Sequence, residues 1–209
     1  MADATSILRV SPVIPVVTID DPQHAVPVAR ALADGGVRII ELTLRTESAL
    51  TSLKRIASEV PDICVGAGTI LTPGQADAAT AAGAGFLVSP GITTTLLDHL
   101  LTTGVPLLPG VATIGEVMGV LERGLTAMKF FPAGPAGGPG YLAAVGAPIP
   151  QVQFCPTGGI SLDSAPGYLA LPNVSCVGGS WLTPKTAVEH NDWEQITKLA
   201  REASGLSLD

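Results

Sequence analysis

The sequence predicts an α/β protein, a compact (β/α)₈ TIM barrel that forms a single domain over residues 1–209. Eight short apolar runs rich in β-branched residues alternate with helix-like stretches, about one run in every 26 residues. Nearly continuous apolar strands that alternate with helices indicate a parallel sheet covered on both faces. A doubly wound open sheet is the alternative, because sequence periodicity does not show whether a sheet closes on itself.

The predicted strands are residues 13–17, 37–42, 63–67, 85–88, 105–108, 127–131, 152–155 and 174–177. Glycine, which often ends a helix, precedes several of these strands. These helix-ending glycines are Gly36, Gly83, Gly104, Gly124 and Gly146. Residues that cap helix N-termini follow the strands. They are Asp21 before Pro22, Thr72 with Gln75, Thr113 with Glu116, and Asn191 with Glu194.

Composition and charge exclude several classes of function. The net charge is −7 and the basic residues are scattered, which argues against a nucleic-acid partner. The uncharged stretch 130–162 contains six prolines, which excludes a membrane helix, and no signal peptide precedes the first strand. The three histidines are far apart and no complete dinucleotide fingerprint occurs. We therefore expect a cytoplasmic protein without a metal or another cofactor.

Lys129 is the strongest candidate for a nucleophile. It lies inside the apolar strand 127–131, whereas Lys54, Lys185 and Lys198 stand in helices or loops where solvated lysines are common. Apolar surroundings favour the neutral amine, and a neutral amine attacks a ketone to form an imine. The alternative is a structural lysine whose ammonium reaches water at the strand end.

Two further charged residues follow the second predicted strand. Glu41 ends an apolar run. The C-terminal ends of the strands form the catalytic face of a barrel, and a carboxylate at that face can act as a general acid or base. Arg45, four residues later, has a planar fork that can bind a carboxylate through two hydrogen bonds. The alternatives are a structural ion pair between Glu41 and Arg38 or Arg45, and a simple surface role for Arg45.

Glycine pairs follow the last two predicted strands. Thr157 precedes Gly158 and Gly159, and Gly178 and Gly179 precede Ser180. In (β/α)₈ barrels these two loops commonly bind phosphate through accessible backbone N–H groups. A single pair of glycines also occurs in ordinary tight turns. An anion site is indicated because one such pair follows each of the last two predicted strands.

Six motifs together resemble the 2-keto-3-deoxy-6-phosphogluconate (KHG/KDPG) aldolase family. In chain order they are ELTLRT at 41–46, VGAGT at 65–69, SPG at 89–91, KFFPA at 129–133, CPTGGI at 155–160 and GGSWL at 178–182. The resemblance extends from about Ile14 to the last helix. It implies a class I, Schiff-base aldolase, a metal-free lyase that is a cytoplasmic homotrimer.

The resemblance also implies a role for each motif residue. Lys129 would form the imine and Glu41 would move protons. The residues that would contact the substrate are Arg45 and Thr69 at the carboxylate, Phe131, Thr157 and Pro90 around the reacting carbons, and Gly158, Gly159, Gly179 and Ser180 at the phosphate. The products would be pyruvate and glyceraldehyde 3-phosphate, or pyruvate and glyoxylate from 4-hydroxy-2-ketoglutarate.

The chain departs from the family pattern after the first strand. Relatives often carry a basic residue there, whereas this sequence has Thr18, Asp20 and Asp21. Thr18 can donate a hydrogen bond but brings no charge, so phosphate selectivity is open. The alternatives to the proposed substrate are the 6-phosphogalactonate epimer, a phosphosugar isomerase or epimerase on the same barrel, and a non-catalytic protein that binds phosphorylated metabolites.

Overall fold

The computed structural model of the chain describes residues 4–206, so the outermost residues of the predicted domain lie outside the described part. Nine strands alternate with ten α-helices and one 3₁₀ helix within that part. The strands are β1 (Val13–Val17), β2 (Ile39–Thr43), β3 (Cys64–Gly68), β4 (Leu87–Val88), β5 (Leu107–Leu108), β6 (Gly110–Val111), β7 (Ala127–Phe130), β8 (Gln153–Pro156) and β9 (Val177–Gly179).

The helices cover the stretches between these strands. They are α1 (Ala4–Ile7), the 3₁₀ helix Pro22–His24, α2 (Ala25–Asp34), α3 (Ala49–Glu59), α4 (Pro73–Ala81), α5 (Thr94–Thr102), α6 (Ile114–Leu121), α7 (Gly138–Gly146), α8 (Ala165–Leu169), α9 (Lys185–Glu189) and α10 (Trp193–Ser204). No helix among residues 4–206 is long and apolar enough to cross a membrane.

All paired strands run parallel and form a curled sheet of six strands beside a sheet of three. The six-stranded sheet has the order β5-β4-β3-β2-β1-β9, and the three-stranded sheet has the order β6-β7-β8. Isolated parallel bridges join Phe154 to Val174 and Thr157 to Gly178. The prediction of a parallel α/β fold is confirmed by this arrangement.

The fifth predicted strand differs most from expectation. The predicted strand 105–108 is observed only as β5 at Leu107–Leu108, and β6, which was not predicted, follows Pro109 and belongs to the other sheet. Proline has no N–H to donate to a neighbouring strand, so the ladder is interrupted at that residue. The Pro109 carbonyl still accepts a hydrogen bond from the Lys129 N–H at 3.0 Å, which keeps the break next to the lysine of β7.

One hydrophobic cluster extends from Ala4 in α1 to Ala203 in α10 and consists mainly of Val, Leu, Ile and Ala. Its largest fully buried side chains are Phe86, Phe130 and Phe154. Phe130 stacks on Tyr141 at 5.4 Å between ring centroids. Lys129 and Glu41 are thus exceptions in a largely aliphatic interior.

Most of the predicted helix ends are confirmed. Thr72 and Thr113 form complete capping boxes, and the Asp21 side chain caps the 3₁₀ helix. The positive φ angles expected at helix ends occur at Gly36, Gly83, Gly104 and Gly124. The predicted start of the last helix is wrong by one residue. Asn191 adopts a left-handed conformation with φ of 56°, and Asp192 caps α10 instead.

Candidate active site

Lys129 and Glu41 form a buried ion pair although 88 residues separate them in sequence. The Lys129 Nζ lies 2.9 Å from Glu41 Oε1 and 3.2 Å from Oε2. Their side chains are only 7% and 5% exposed. Of the two interpretations of Lys129, the one in which its ammonium reaches water is therefore wrong, as is a partnership of Glu41 with Arg38 or Arg45.

Strand pairing positions the two side chains. Lys129 is the third residue of β7 and pairs with Gly110 on one side and Cys155 on the other. Glu41 is the third residue of β2 and pairs with Val16 and Gly66. The strand continues to Thr43, so Glu41 lies within β2 and not at its end as the sequence suggested.

Gly68 makes the space that the Glu41 side chain occupies. A Cβ atom at Gly68 would lie 2.6 Å from Glu41 Cγ and 2.8 Å from Glu41 Cδ, far inside normal contact distance. The glycine at the end of β3 is therefore needed for the carboxylate to reach Lys129. The sequence alone did not indicate this role.

A cavity of about 190 Å³ opens beside Lys129. Eight of the predicted site residues line it: Arg45, Lys129, Phe131, Thr157, Gly158, Gly159, Gly179 and Ser180. Four other residues complete the lining, namely Val16, Thr18, Ile160 and Gly178. From the sequence, Thr18 was considered as a hydrogen-bond donor near the phosphate, and the other three were assigned no contact with the substrate. The cavity brings together the candidate nucleophile, a guanidinium group and both glycine loops.

Three predicted residues lie behind the lining. Glu41 is in contact with Lys129, and the Thr69 hydroxyl accepts a hydrogen bond from Arg45 Nε at 3.2 Å. Thr69 has a φ of 61°, an unusual conformation for a threonine. The carbonyl of Pro90 packs so closely on Gly110 that a Cβ atom at Gly110 would overlap this carbonyl. Thr69 thus holds Arg45 at the cavity wall, and Pro90 packs against the residue of β6 that pairs with Lys129.

Arg45 keeps much of its hydrogen-bonding capacity free for a ligand. Only its Nε donates to Thr69, and the terminal nitrogens have no partner among residues 4–206. A guanidinium group carries five N–H donors in a planar fork. The remaining edge can therefore bind a carboxylate through two hydrogen bonds.

The loop after β8 exposes its backbone to the cavity. Gly158 and Gly159 have φ angles of +105° and +76°, conformations that side chains other than glycine rarely adopt. Gly178 packs directly against the Thr157 side chain, where a Cβ atom would collide with the hydroxyl. This close approach joins the two glycine loops into one wall of the cavity.

The described residues contain no group of three or more His, Cys, Asp or Glu side chains placed to hold a metal ion. The groups at the site are one amine, one carboxylate, one guanidinium and a set of hydroxyl and backbone groups. A buried amine beside a buried carboxylate at the edge of a cavity is suited to imine formation with proton transfer.

Nearly the whole chain resembles known aldolases in sequence. A profile of the KDPG and KHG aldolase family matches residues 4–199. The chain belongs to this family. It is 52% identical over 200 residues to the 2-dehydro-3-deoxy-phosphogluconate aldolase of Dickeya dadantii strain 3937, with 96% of this chain and 94% of the relative covered. It is 51% identical over 200 residues to the KHG/KDPG aldolase of Escherichia coli strain K12, with the same coverage of 96% and 94%.

A solved structure of another KDPG aldolase superposes over nearly the whole chain. The KDPG aldolase of Legionella pneumophila matches with a TM-score of 0.96 and 45% identity, covering 98% of this chain and 99% of the other. That crystal structure contains pyruvate captured at low pH as a covalent carbinolamine intermediate. The resemblance to the aldolase family is therefore confirmed for fold and sequence alike.

Proposed function

We propose that this chain is a class I aldolase that cleaves 2-keto-3-deoxy-6-phosphogluconate to pyruvate and glyceraldehyde 3-phosphate. The observation that carries the proposal is the buried pair of Lys129 and Glu41 at the edge of a cavity. Family membership supports it, as does the covalent pyruvate intermediate in the Legionella relative. Lys129 is the proposed nucleophile and Glu41 the proposed proton carrier.

The reaction begins when the Lys129 amine attacks the C2 ketone and water leaves, which gives a protonated imine. Glu41 lies 2.9 Å from Nζ and is placed to take the ammonium proton first. Glu41 gives that proton to the carbinolamine hydroxyl, which leaves as water, and Glu41 becomes a carboxylate again. The carboxylate then removes the proton of the C4 hydroxyl. As the C3–C4 bond breaks, its electron pair moves into the imine and leaves an enamine, while C4 leaves as the aldehyde. Glu41 returns its proton to the enamine carbon, and water releases pyruvate from Lys129.

Acid–base assistance of this kind accelerates a reaction by about 10²–10⁴-fold. The carboxylate does so efficiently because it is buried beside the reacting nitrogen and few waters compete for it. The terminal nitrogens of Arg45, with Nε fixed by Thr69, are assigned to the substrate carboxylate. Phe131, Thr157 and Pro90 are assigned to the walls around the reacting carbons.

The backbone N–H groups of the glycine loops and the Ser180 hydroxyl are assigned to the phosphate. Gly158 and Gly159 adopt glycine-specific conformations, and Gly179 and Ser180 line the same cavity. Backbone N–H groups and hydroxyls bind phosphate without a cationic side chain. This assignment is consistent with the acidic sequence after β1.

We further propose that the chain cleaves 4-hydroxy-2-ketoglutarate to pyruvate and glyoxylate. The Escherichia coli relative is named a KHG/KDPG aldolase, and the imine chemistry at Lys129 is common to both reactions. The 6-phosphogalactonate epimer is the competing aldolase substrate. A phosphosugar isomerase or epimerase would not need a covalent bond to Lys129, and a metabolite-binding protein would leave the buried amine and carboxylate pair without a use.

The finer architecture is also part of the proposal. The two sheets form one closed (β/α)₈ barrel and a single domain over residues 1–209. Two observations support closure: isolated bridges connect the β8 region to the β9 region, and β5 and β6, which belong to different sheets, are separated only by Pro109.

The protein is a cytoplasmic homotrimer that needs no metal or cofactor. Exposed apolar side chains on α6, Ile114 at 43% and Met118 at 54%, offer a surface for a second copy.

Borohydride trapping tests the proposed function directly. Pyruvate and sodium borohydride should add a reduced pyruvyl group to one residue, and peptide mapping should place it on Lys129. Lys198→Ala removes an exposed lysine of α10 and is the matched control. In this variant pyruvate should still modify Lys129 as in the wild type. Modification of Lys54, Lys185 or Lys198, or none, would refute the assignment.

A second variant separates the roles of the pair. Glu41→Gln keeps the Lys129 amine and should still be trapped by pyruvate. It should slow the exchange of the pyruvate methyl protons with solvent by about 10²-fold or more, because the proton carrier is lost. Exchange at the wild-type rate would mean that another group carries the proton.

A further inference from the structure

Thr18 stands where the catalytic cavity meets a second, larger one. The second cavity has a volume of about 650 Å³ and shares Val16, Thr18 and Ser180 with the first. Neither Lys129 nor Arg45 lines the second cavity. The second cavity thus continues from Thr18 without Lys129 or Arg45, so it has room for the aldehyde half of a substrate whose ketone and carboxylate lie at those two residues.

Two linked hydrogen bonds determine whether the Thr18 hydroxyl is a donor or an acceptor toward the cavity. Thr43 is fully buried and its Oγ1 lies 3.1 Å from the Val17 carbonyl oxygen and 2.9 Å from Thr18 Oγ1. A carbonyl only accepts, so the single Thr43 proton is donated to Val17. Both contacts are hydrogen bonds only if Thr18 donates its own proton to Thr43.

This proton arrangement leaves Thr18 as an acceptor toward the cavity. A hydroxyl has one proton and two lone pairs, and the proton of Thr18 points to Thr43. Thr18 can donate a hydrogen bond by its chemistry, but in the structure its proton is directed to Thr43 and not to the cavity. A phosphate dianion has no favourable contact with a lone pair, whereas a substrate hydroxyl can donate to it.

The second cavity has the same acceptor character beyond Thr18. Its walls include the carboxylates of Asp20, Asp21 and Glu189. The ammonium of Lys185 lies between two of them, 3.8 Å from Asp20 and 3.7 Å from Glu189. An anionic group is therefore disfavoured beside these carboxylates, and hydroxyl donors are favoured there.

We propose that Thr18 is a specificity-determining residue that accepts a hydrogen bond from a hydroxyl on the aldehyde half of the substrate. This inference rests on the proposed aldolase function. Thr18 distinguishes hydroxylated aldehydes from their deoxy analogues, while the phosphate is held by the glycine loops on another wall. Among the aldehydes that the enzyme joins to pyruvate, Thr18 therefore favours those with a hydroxyl at C2.

The test uses the synthetic direction with pyruvate and a matched pair of aldehydes. Glyceraldehyde and 3-hydroxypropanal have the same length and terminal hydroxyl, and only the first carries a hydroxyl at C2. The value of kcat/KM is measured for both aldehydes with the wild type, Thr18→Val and Thr18→Ser. Valine keeps the shape of threonine without a lone pair, and serine restores the hydroxyl.

Thr18→Val should lose about three- to ten-fold in kcat/KM for glyceraldehyde, the effect of one neutral hydrogen bond. It should lose less than about two-fold for 3-hydroxypropanal, since that aldehyde has no C2 hydroxyl to donate. Thr18→Ser should retain the wild-type ratio between the two aldehydes. Equal losses for both aldehydes, or no loss for glyceraldehyde, would overturn the inference.

Borohydride trapping of pyruvate by the wild type separates this inference from the proposed function. If the wild type does not trap pyruvate on Lys129, the aldolase assignment fails, and the role of Thr18 fails with it. If the wild type traps pyruvate and Thr18→Val leaves the aldehyde ratio unchanged, only the role of Thr18 is refuted.

Discussion

Substituting alanine for Gly68 should damage the site without touching either charged residue. The new Cβ atom would lie 2.6 Å from Glu41 Cγ and 2.8 Å from Cδ, whereas carbon atoms prefer about 3.5–4.0 Å. The carboxylate must therefore move by about 1 Å, which takes it out of hydrogen-bonding distance of Lys129 Nζ. Gly68 has an ordinary backbone conformation, so this overlap is the main consequence of the change.

The expected loss in the free energy of unfolding is about 1–3 kcal/mol, the usual cost of overpacking a buried site. In a protein of this size that corresponds to a decrease in Tm of about 2–12 °C, measurable by calorimetry. Exchange of the pyruvate methyl protons should slow by about 10²-fold, because Glu41 is displaced from the reacting nitrogen.

Two controls isolate the cause. Gly74→Ala adds a methyl group on α4 where nothing lies within 4 Å, and it should be neutral or stabilise by up to about 1 kcal/mol. In a Glu41→Ala background the carboxylate is absent, so Gly68→Ala should also be nearly neutral there. Equal destabilisation by Gly68→Ala in the wild-type and Glu41→Ala backgrounds would refute the reasoning, because it would place the cost in the backbone.

Three other predictions concern the carboxylate site, the phosphate site and a helix cap. Arg45→Lys keeps the charge but loses the fork and the contact with Thr69, so pyruvate affinity in trapping experiments should fall about ten-fold or more; unchanged affinity would make Arg45 a surface residue. Ser180→Ala should lower kcat/KM for the phosphorylated substrate by about ten- to a hundred-fold and affect 4-hydroxy-2-ketoglutarate much less; equal losses would exclude this loop as the phosphate site. Burial alone would raise the pKa of Glu116, but hydrogen bonds from the Ala112 and Thr113 N–H groups and the Thr113 hydroxyl outweigh it and lower the pKa overall. Its stabilising effect is present above the pKa of the unfolded chain and lost as the pH falls through the folded pKa, so the Tm advantage over Glu116→Gln should shrink on acidification.

Much of the architecture could be predicted because its signals are local. Apolar runs, helix-ending glycines and the capping boxes at Thr72 and Thr113 depend on residues within a few positions of one another. Residue type also singled out Lys129, since an amine inside an apolar strand is costly unless it has a partner or a function. The division at Pro109 was harder to foresee, because a proline at a strand end and one that separates two sheets look alike in sequence.

The sequence by itself determined which chemical groups this protein carries and that they follow parallel strands. Only the tertiary structure decided which groups meet. Glu41 was the expected base, but its contact with Lys129 depends on Gly68 leaving room in a neighbouring strand. The sequence shows that Thr18 has a hydroxyl, and only its contact with Thr43 makes that hydroxyl an acceptor toward the cavity. Such contacts cross from strand to strand, and strand register and packing set their distances, which no local pattern in the chain encodes.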